Sequence, residues 1–127
     1  MNSKAQVSIE FFIFVGLAFL IAIAFELASL DQLKDFRLEN ENAAVKDFAL
    51  KLQKEVLIAA YVEDGYSRAF EIPDDLENID FSVDLRNSTI TVQSKNSLYI
   101  TLVPSSVGNF SQGTNIIRKS GNVIYIN

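Results

Sequence analysis

The segment between Phe11 and Leu30 restricts what this chain can fold into more than any other. Seventeen of its twenty residues are hydrophobic, and the exceptions are Gly16, Glu26 and Ser29. As an α-helix the segment is about 30 Å long, which matches the hydrocarbon core of a bilayer. The rest of the 127-residue chain is too small to surround such a helix in a soluble core. We therefore expect a membrane-spanning helix.

The charges on either side of this segment predict its orientation. Lys4 and the N-terminal amine precede it, whereas Asp31 and Asp35 follow it, with Lys34 the one nearby cation. Because positive charge is retained on the cytoplasmic side, we expect a cytoplasmic N-terminus and an exported C-terminal part.

Composition excludes several classes of function. The chain has no histidine and no cysteine, which excludes Ser-His-Asp and Cys-His catalysis, zinc sites built on these residues, and disulfide scaffolds. Eleven basic residues against sixteen acidic ones give a net charge of −5, so the basic footprint of a nucleic-acid-binding protein is missing. We expect no enzymatic activity, no cofactor and no metal.

The helical pattern continues beyond the apolar segment. A second set of apolar residues recurs at steps of three and four, which traces one face of a helix. The polar run from Glu39 to Asn42 separates the two apolar parts, but no proline or glycine occurs between Leu17 and Asp64. One helix from about Val7 to about Val62 is therefore predicted. The residues of the second apolar face are Val45, Phe48, Ala49, Leu52, Val56, Ala59 and Ala60.

After Gly65 the hydrophobic period changes from helical to two, which is typical of β-strands. Alternating runs predict three consecutive antiparallel strands around 81–86, 89–93 and 98–103, joined by turn residues. Phe70–Ile72 is predicted as a short edge strand, Ser105–Gly113 as a surface loop, and Ile116–Ile117 with Val123–Ile126 as a final hairpin.

The predicted sheet is too small to be stable alone and needs a cover on one face. The second apolar face of the helix supplies that cover. We therefore predict an α+β fold in which a long N-terminal helix, membrane-spanning in its first half, packs by its second half on a small antiparallel β-sheet.

A short polar motif stands directly before the apolar segment. Gln6, Ser8, Glu10 and Phe11 follow the pattern Q-x-S-x-E-F, which resembles the class III signal peptide of archaeal type IV pilins. The resemblance covers about the first 30 residues by motif, and the predicted fold is similar to that family in outline. It implies that a prepilin peptidase cuts between Ala5 and Gln6. The family often has a glycine at the position of Ala5.

The resemblance also implies a division of the chain and a function. Residues 1–5 would be the cleaved signal peptide, 6–30 the transmembrane and filament-core helix, 31–64 its amphipathic continuation, and 65–127 the β-domain. The expected function is that of a structural subunit of a type IV pilus-like surface filament that serves adhesion. The implied partners are further copies or related pilins, the prepilin peptidase, an assembly ATPase, a membrane platform protein and the lipid bilayer. The chain is expected in the cell membrane and then in the filament.

Glu10 is the residue with the most specific expected role. A carboxylate just inside a membrane helix is costly and usually has a partner. The resemblance implies that Glu10 pairs with the new amine of Gln6 on a neighbouring subunit. The alternative is that Glu10 lies at the level of the lipid headgroups. Glu26 has the same two alternatives, a headgroup position or a second pairing inside a filament.

Two Asn-x-Ser/Thr sequences, at Asn87 and at Asn109, are candidate N-glycosylation sites in predicted turns or loops. Five acidic residues between 74 and 84 lack the spacing of a calcium loop and are predicted to form a solvated surface. They are Asp74, Asp75, Glu77, Asp80 and Asp84.

Two other functions agree with the same sequence. The chain is alternatively a single-pass, membrane-anchored extracellular binding module that does not polymerise, in which case residues 1–5 are retained. In a third reading the apolar segment is an ordinary signal peptide cut near Ala28, which releases a secreted domain.

Overall fold

A computed structural model of the chain describes the backbone of residues 3–127 and the side chains of residues 8–127. One helix, α1, spans Ser3–Tyr61. The chain divides into two compact units, Met1–Arg37 and Leu38–Asn127. Seven strands follow the helix: β1 (Ser67–Ile72), β2 (Phe81–Arg86), β3 (Thr89–Ser94), β4 (Leu98–Leu102), β5 (Ser106–Gly108), β6 (Gly113–Ser120) and β7 (Val123–Ile126).

The C-terminal end of α1 lies one residue from the predicted position. Tyr61 is the last helical residue, and Gly65 has a φ of +95°, a conformation that glycine adopts without strain. The ammonium group of Lys119 donates hydrogen bonds to the carbonyl oxygens of Ala60 and Val62, at 2.7 and 2.8 Å. A cation at this end is favourable because the last carbonyl groups of a helix carry partial negative charge.

The predicted apolar face of α1 forms one side of the core within Leu38–Asn127. Ala60 is partly buried, and the other six predicted residues are at most 6% exposed. Phe48 packs edge-to-face on Phe81, with 5.0 Å between the ring centres. The strands and loops contribute Ile72, Phe81, Leu85, Ile90, Val92, Val103, Phe110, Ile117, Ile124 and Ile126.

The three consecutive antiparallel strands are confirmed as β2, β3 and β4, which form a three-stranded sheet in that order. Asn87 and Ser88 connect β2 to β3 with φ angles of +49° and +61°. Two positive φ values in a two-residue turn define type I′, whose twist matches that of a hairpin. The turn that the sequence predicts between these two strands is therefore present.

The remaining strands form a separate four-stranded sheet in the order β1-β6-β7-β5. The α+β prediction is confirmed, since the second half of α1 packs on the strands of both sheets, which pair antiparallel except for β5 with β7. The predicted hairpin is present as β6 and β7, and β1 is an edge strand as expected. The division of the strands into two sheets was not predicted.

The prediction of a surface loop over Ser105–Gly113 is wrong in part. Ser106–Gly108 form β5, which pairs parallel with β7. At Gly108 a side chain is sterically excluded, because a Cβ atom there would lie 1.9 Å from the carbonyl oxygen of Ile126. A three-residue strand with a distant parallel partner carries no local alternating pattern, so the sequence gives no sign of it.

Candidate functional site

The apolar surface of α1 is open along its first half. Fifteen large hydrophobic residues between Ile9 and Phe36 are between 52% and 72% exposed. Burying one such side chain is worth about 1.5–3 kcal/mol relative to leaving it in water. A surface of this size requires lipid or protein around it. Because the apolar part of α1 is also long enough to cross a bilayer and is not buried, α1 is a candidate membrane span.

Small residues shape part of this surface. Ala18 and Ala22, four residues apart, lie with Val15 and Phe19 around a shallow groove of about 250 Å³. Alanines at this spacing leave room for the backbone of another helix to approach closely. The groove is therefore a place on residues 8–37 where a second apolar helix can approach closely.

The polar side chains of this segment differ in whether they have a partner among the described residues. The hydroxyl of Ser29 donates to the carbonyl oxygen of Phe25 at 2.9 Å, which satisfies it inside its own helix. Among residues 8–127 the ion pairs are Lys34–Asp31, Arg68–Glu55 and Arg86–Asp84, and neither Glu10 nor Glu26 takes part in one. An intramembrane carboxylate calls for a partner.

The motif residues begin this same surface. Ser8, Glu10 and Phe11 lie on α1 and are exposed, Phe11 by 64%. The side chains of Ala5 and Gln6 lie outside the described residues, as does part of the predicted signal peptide, so cleavage between them stays a prediction. The structure brings Ser8, Glu10 and Phe11 together on one helical turn.

Glu41 connects α1 to the turn between β3 and β4, a role that the sequence did not indicate. Its carboxylate accepts hydrogen bonds from the Ser94 hydroxyl at 2.5 Å, the Asn96 amide side chain at 3.0 Å and the Asn96 backbone N–H at 3.2 Å. The polar run that interrupts the apolar pattern therefore holds a residue that fastens the turn. Only the position of the turn against the helix reveals it.

We expect the stability of the Leu38–Asn127 unit to fall in acid partly through Glu41. Hydrogen bonds from Asn96 and Ser94 hold the pKa of Glu41 below its ordinary value of 4.5. A group whose pKa is depressed by folding stabilises the fold above its unfolded pKa, and this contribution is lost as the pH falls through the folded pKa. Urea unfolding of the detergent-solubilised chain at about pH 6 and about pH 3 measures the difference.

The matched comparison uses two neighbouring glutamates. Glu41→Gln is expected to lower the unfolding midpoint at neutral pH and to reduce the acid-dependent loss. Glu39→Gln, at an exposed position two residues earlier, should leave both unchanged. Equal pH dependence in Glu41→Gln and in the parent chain would show that Glu41 makes no such contribution.

The two candidate glycosylation sites have different surroundings. Asn87 is exposed at the tip of the β2–β3 turn. The side chain of Asn109 instead donates to a carboxylate oxygen of Asp84 at 2.9 Å and accepts from the backbone N–H of Leu85 at 2.8 Å. Asn109 thus holds the outer edge of β2, whereas nothing of this kind holds Asn87 among residues 8–127. Glycosylation at either residue stays a prediction.

Asn115 carries a second side-chain amide with a structural role, and this residue is buried in the core. Asn115 is fully buried and donates to the carbonyl oxygens of Ser111 and Gly113, at 2.7 and 2.9 Å. Its own oxygen accepts from the Ser111 N–H and from the Asn127 side chain, each at 2.9 Å. Because all its hydrogen-bonding groups are used, this amide is a structural element of the core.

One cleft opens between the two sheets of Leu38–Asn127. Its volume is about 270 Å³, and it has an apolar floor with hydroxyl and amide groups at the rim. Within the described part of the chain, no group of three or more acidic residues is arranged to hold a metal ion. The lining residues are Ile72, Phe81, Ser82, Val83, Phe110, Ser111 and Gln112, and none of them titrates near neutral pH.

Comparisons of the chain with protein-family models, with curated proteins and with solved structures found no match. The functional evidence therefore consists of the open apolar surface, the polar motif that precedes it, and the folded unit that follows. Of these three, the apolar surface makes the strongest physical demand, since it has to be covered.

Proposed function

We propose that this chain is a structural subunit of an archaeal type IV pilin-like surface filament, processed before Gln6 and assembled through the first half of α1. One observation carries the proposal. The same helix is apolar on all sides from Phe11 to Phe25 and amphipathic from Val45 onward, where its apolar face is buried in the α+β core. Such a helix serves first as an anchor in lipid and then as the centre of a polymer.

Assembly in this proposal exchanges lipid for protein around α1. Lipid tails are as apolar as the side chains, so close packing and internal hydrogen bonds decide which contacts form. The groove at Ala18 and Ala22 admits a neighbouring helix. Glu10 then pairs with the amine that cleavage creates on Gln6 of another copy, which removes the cost of an unpaired carboxylate in the apolar layer.

The remaining parts of the proposal follow from the family that the motif resembles. A prepilin peptidase exposes the Gln6 amine, and an assembly ATPase with a membrane platform protein moves subunits from the bilayer into the filament. The Leu38–Asn127 unit is then on the outside of the cell. There its surface serves adhesion.

A second function is favoured by the cleft beside Phe81 and Phe110. A non-polymerising, membrane-anchored binding module would use this cleft for a small ligand, since an apolar floor with a few polar groups is typical of ligand sites. Its volume lies just below the usual lower limit of about 300 Å³ for such pockets. The filament proposal is therefore the stronger one.

Mass spectrometry of the N-terminus, on protein from the native membrane fraction, separates these functions. A chain that starts at Gln6 supports the filament subunit, whereas retention of Met1 favours the anchored module. A start at Ser29 or Leu30 would contradict both. Ala5→Gly should be cut like the parent chain, because the family often has glycine there, and Ala5→Leu should be cut poorly.

A further inference from the structure

The outer edge of the three-stranded sheet is formed by β4. The backbone hydrogen bonds Val103 N–H to Ser88 O and Ser94 N–H to Ser97 O lie in register at the two ends of the β3–β4 ladder. Hydrogen-bonded pairs alternate along an antiparallel ladder, so Tyr99 and Thr101 direct their backbone groups toward β3. The backbone groups of the three residues between and beside them, Leu98, Ile100 and Leu102, therefore point away from the sheet.

The same three residues expose their side chains. Leu98 and Ile100 are each 56% exposed, and Leu102 is 73% exposed. No residue of β4 is charged and none is proline. Within the described part of the chain, one contact occupies this edge, a hydrogen bond of 2.7 Å from the Gln53 side chain to the Leu102 carbonyl oxygen. Apart from the Leu102 carbonyl oxygen, β4 thus presents free outward backbone groups next to a row of aliphatic side chains.

Proteins usually protect sheet edges with charges, with covering groups or with short strands. On β1, Arg68 pairs with Glu55 at 3.3 Å and Glu71 adds a second charge. On β2, the side chain of Asn109 caps the outward N–H of Leu85.

The fourth edge, β5, is only three residues long. Among the described strands, β4 is therefore the one edge longer than three residues that carries no charged side chain, and its one covering group is the Gln53 side chain on the Leu102 carbonyl oxygen. A second copy of this chain offers the same choice of edges, so the contact that brings no charged side chain to the edge of either copy uses β4 on both sides.

We propose that β4 pairs antiparallel with β4 of a second copy, in a register centred on Ile100. In this register Ile100 faces Ile100 of the second copy, and Leu98 faces Leu102. The outward backbone groups of both strands then meet as hydrogen-bonded pairs, with the Gln53 side chain displaced from the Leu102 carbonyl oxygen. Because the strand is uncharged, pairing with itself brings no like charges together.

This contact goes beyond the proposed function. A two-fold contact closes on itself and cannot propagate a helical filament. It joins two copies in the membrane before assembly, or copies from two filaments lying side by side. The apolar area involved is smaller than that of a standard stable interface, so pairing needs the high local concentration that a membrane or filament supplies.

Cysteine crosslinking of the full chain in native membranes tests the pairing, since the chain has no cysteine of its own. The Cα atoms of a hydrogen-bonded antiparallel pair are about 5.5 Å apart, within the range of a disulfide. Ile100→Cys is expected to give a disulfide-linked dimer with a mild oxidant. Val107→Cys is the matched control, because Val107 is 54% exposed on the other sheet. We expect about tenfold more dimer at position 100.

A pair of further variants tests the register. Chains with Leu98→Cys and chains with Leu102→Cys, expressed together, should crosslink with each other more than with themselves. Equal dimer yields for Ile100→Cys and Val107→Cys would overturn the pairing, and so would preferential crosslinking of Leu98→Cys with itself. Crosslinking at Ile100 in chains that keep Met1 would contradict the filament proposal and support the β4 pairing. Filaments that form without crosslinks at Ile100 would support the filament proposal and contradict the β4 pairing.

Discussion

Glu10→Gln is expected to abolish filament assembly while leaving insertion of the chain into the membrane intact. The substitution keeps the size of the side chain and removes its charge, so the amine of Gln6 on the neighbouring copy loses its counter-charge in an apolar layer. Removing one partner of a buried ion pair costs about 3–5 kcal/mol. A loss of that size at every subunit contact reduces assembly by more than about a hundredfold.

Electron microscopy of sheared surface material measures the filaments, and the amount of chain in the membrane fraction is measured alongside. Asp31→Asn is the matched control, since it removes a carboxylate just beyond the apolar segment and should leave filaments at the parent level. Normal filaments from Glu10→Gln would remove the pairing role and leave the headgroup position as the account of this residue.

Leu52→Ala is expected to lower the free energy of unfolding of the Leu38–Asn127 unit by about 2–5 kcal/mol. Leu52 is 1% exposed and packs in the core that α1 shares with both sheets. Truncating it removes apolar contacts and leaves a cavity. Since small domains are stable by about 5–15 kcal/mol, the loss is a large part of the total. Urea unfolding of the full chain in detergent, followed by the near-ultraviolet circular dichroism of its tyrosines, measures it.

Leu50→Ala provides the control on the same helix. Leu50 is 37% exposed, two residues from Leu52 but turned away from the core, so its truncation should cost clearly less than that of Leu52. Similar losses for the two variants would contradict the assignment of the buried face.

Local patterns predicted the parts of the fold that are stabilised by neighbours in sequence. The face from Val45 to Ala59, the meander β2-β3-β4 and the β6–β7 hairpin each show a period of 3.6 or 2. The end of α1 was predicted for the same reason, because the helical period stops shortly before Gly65. The parallel β5–β7 pair and the division into two sheets depend on partners far apart in the chain, which no local period records.

The residues of the candidate site also divide into those that the sequence predicted and those that only the structure revealed. The motif from Gln6 to Phe11 and the apolar segment after it can be recognised from the sequence alone. The hydrophobicity of a candidate membrane helix is a property of its own residues and does not depend on a tertiary partner. The role of Glu41 was not visible, because it depends on the β3–β4 turn lying beside α1. The same holds for Asn109, which matches a glycosylation sequence but is engaged in hydrogen bonds with β2.

The apolar segment and the period of the residues after it thus determined by themselves that the chain has a candidate membrane helix and an α+β unit. These properties arise from solvent transfer and from repeats within one element, and both are local in sequence. Tertiary structure alone decided which polar side chains are structural and which strand edges are protected. A strand forms an edge when no other strand pairs with one of its sides. The unpaired edge of β4 is therefore defined only by the positions of all seven strands.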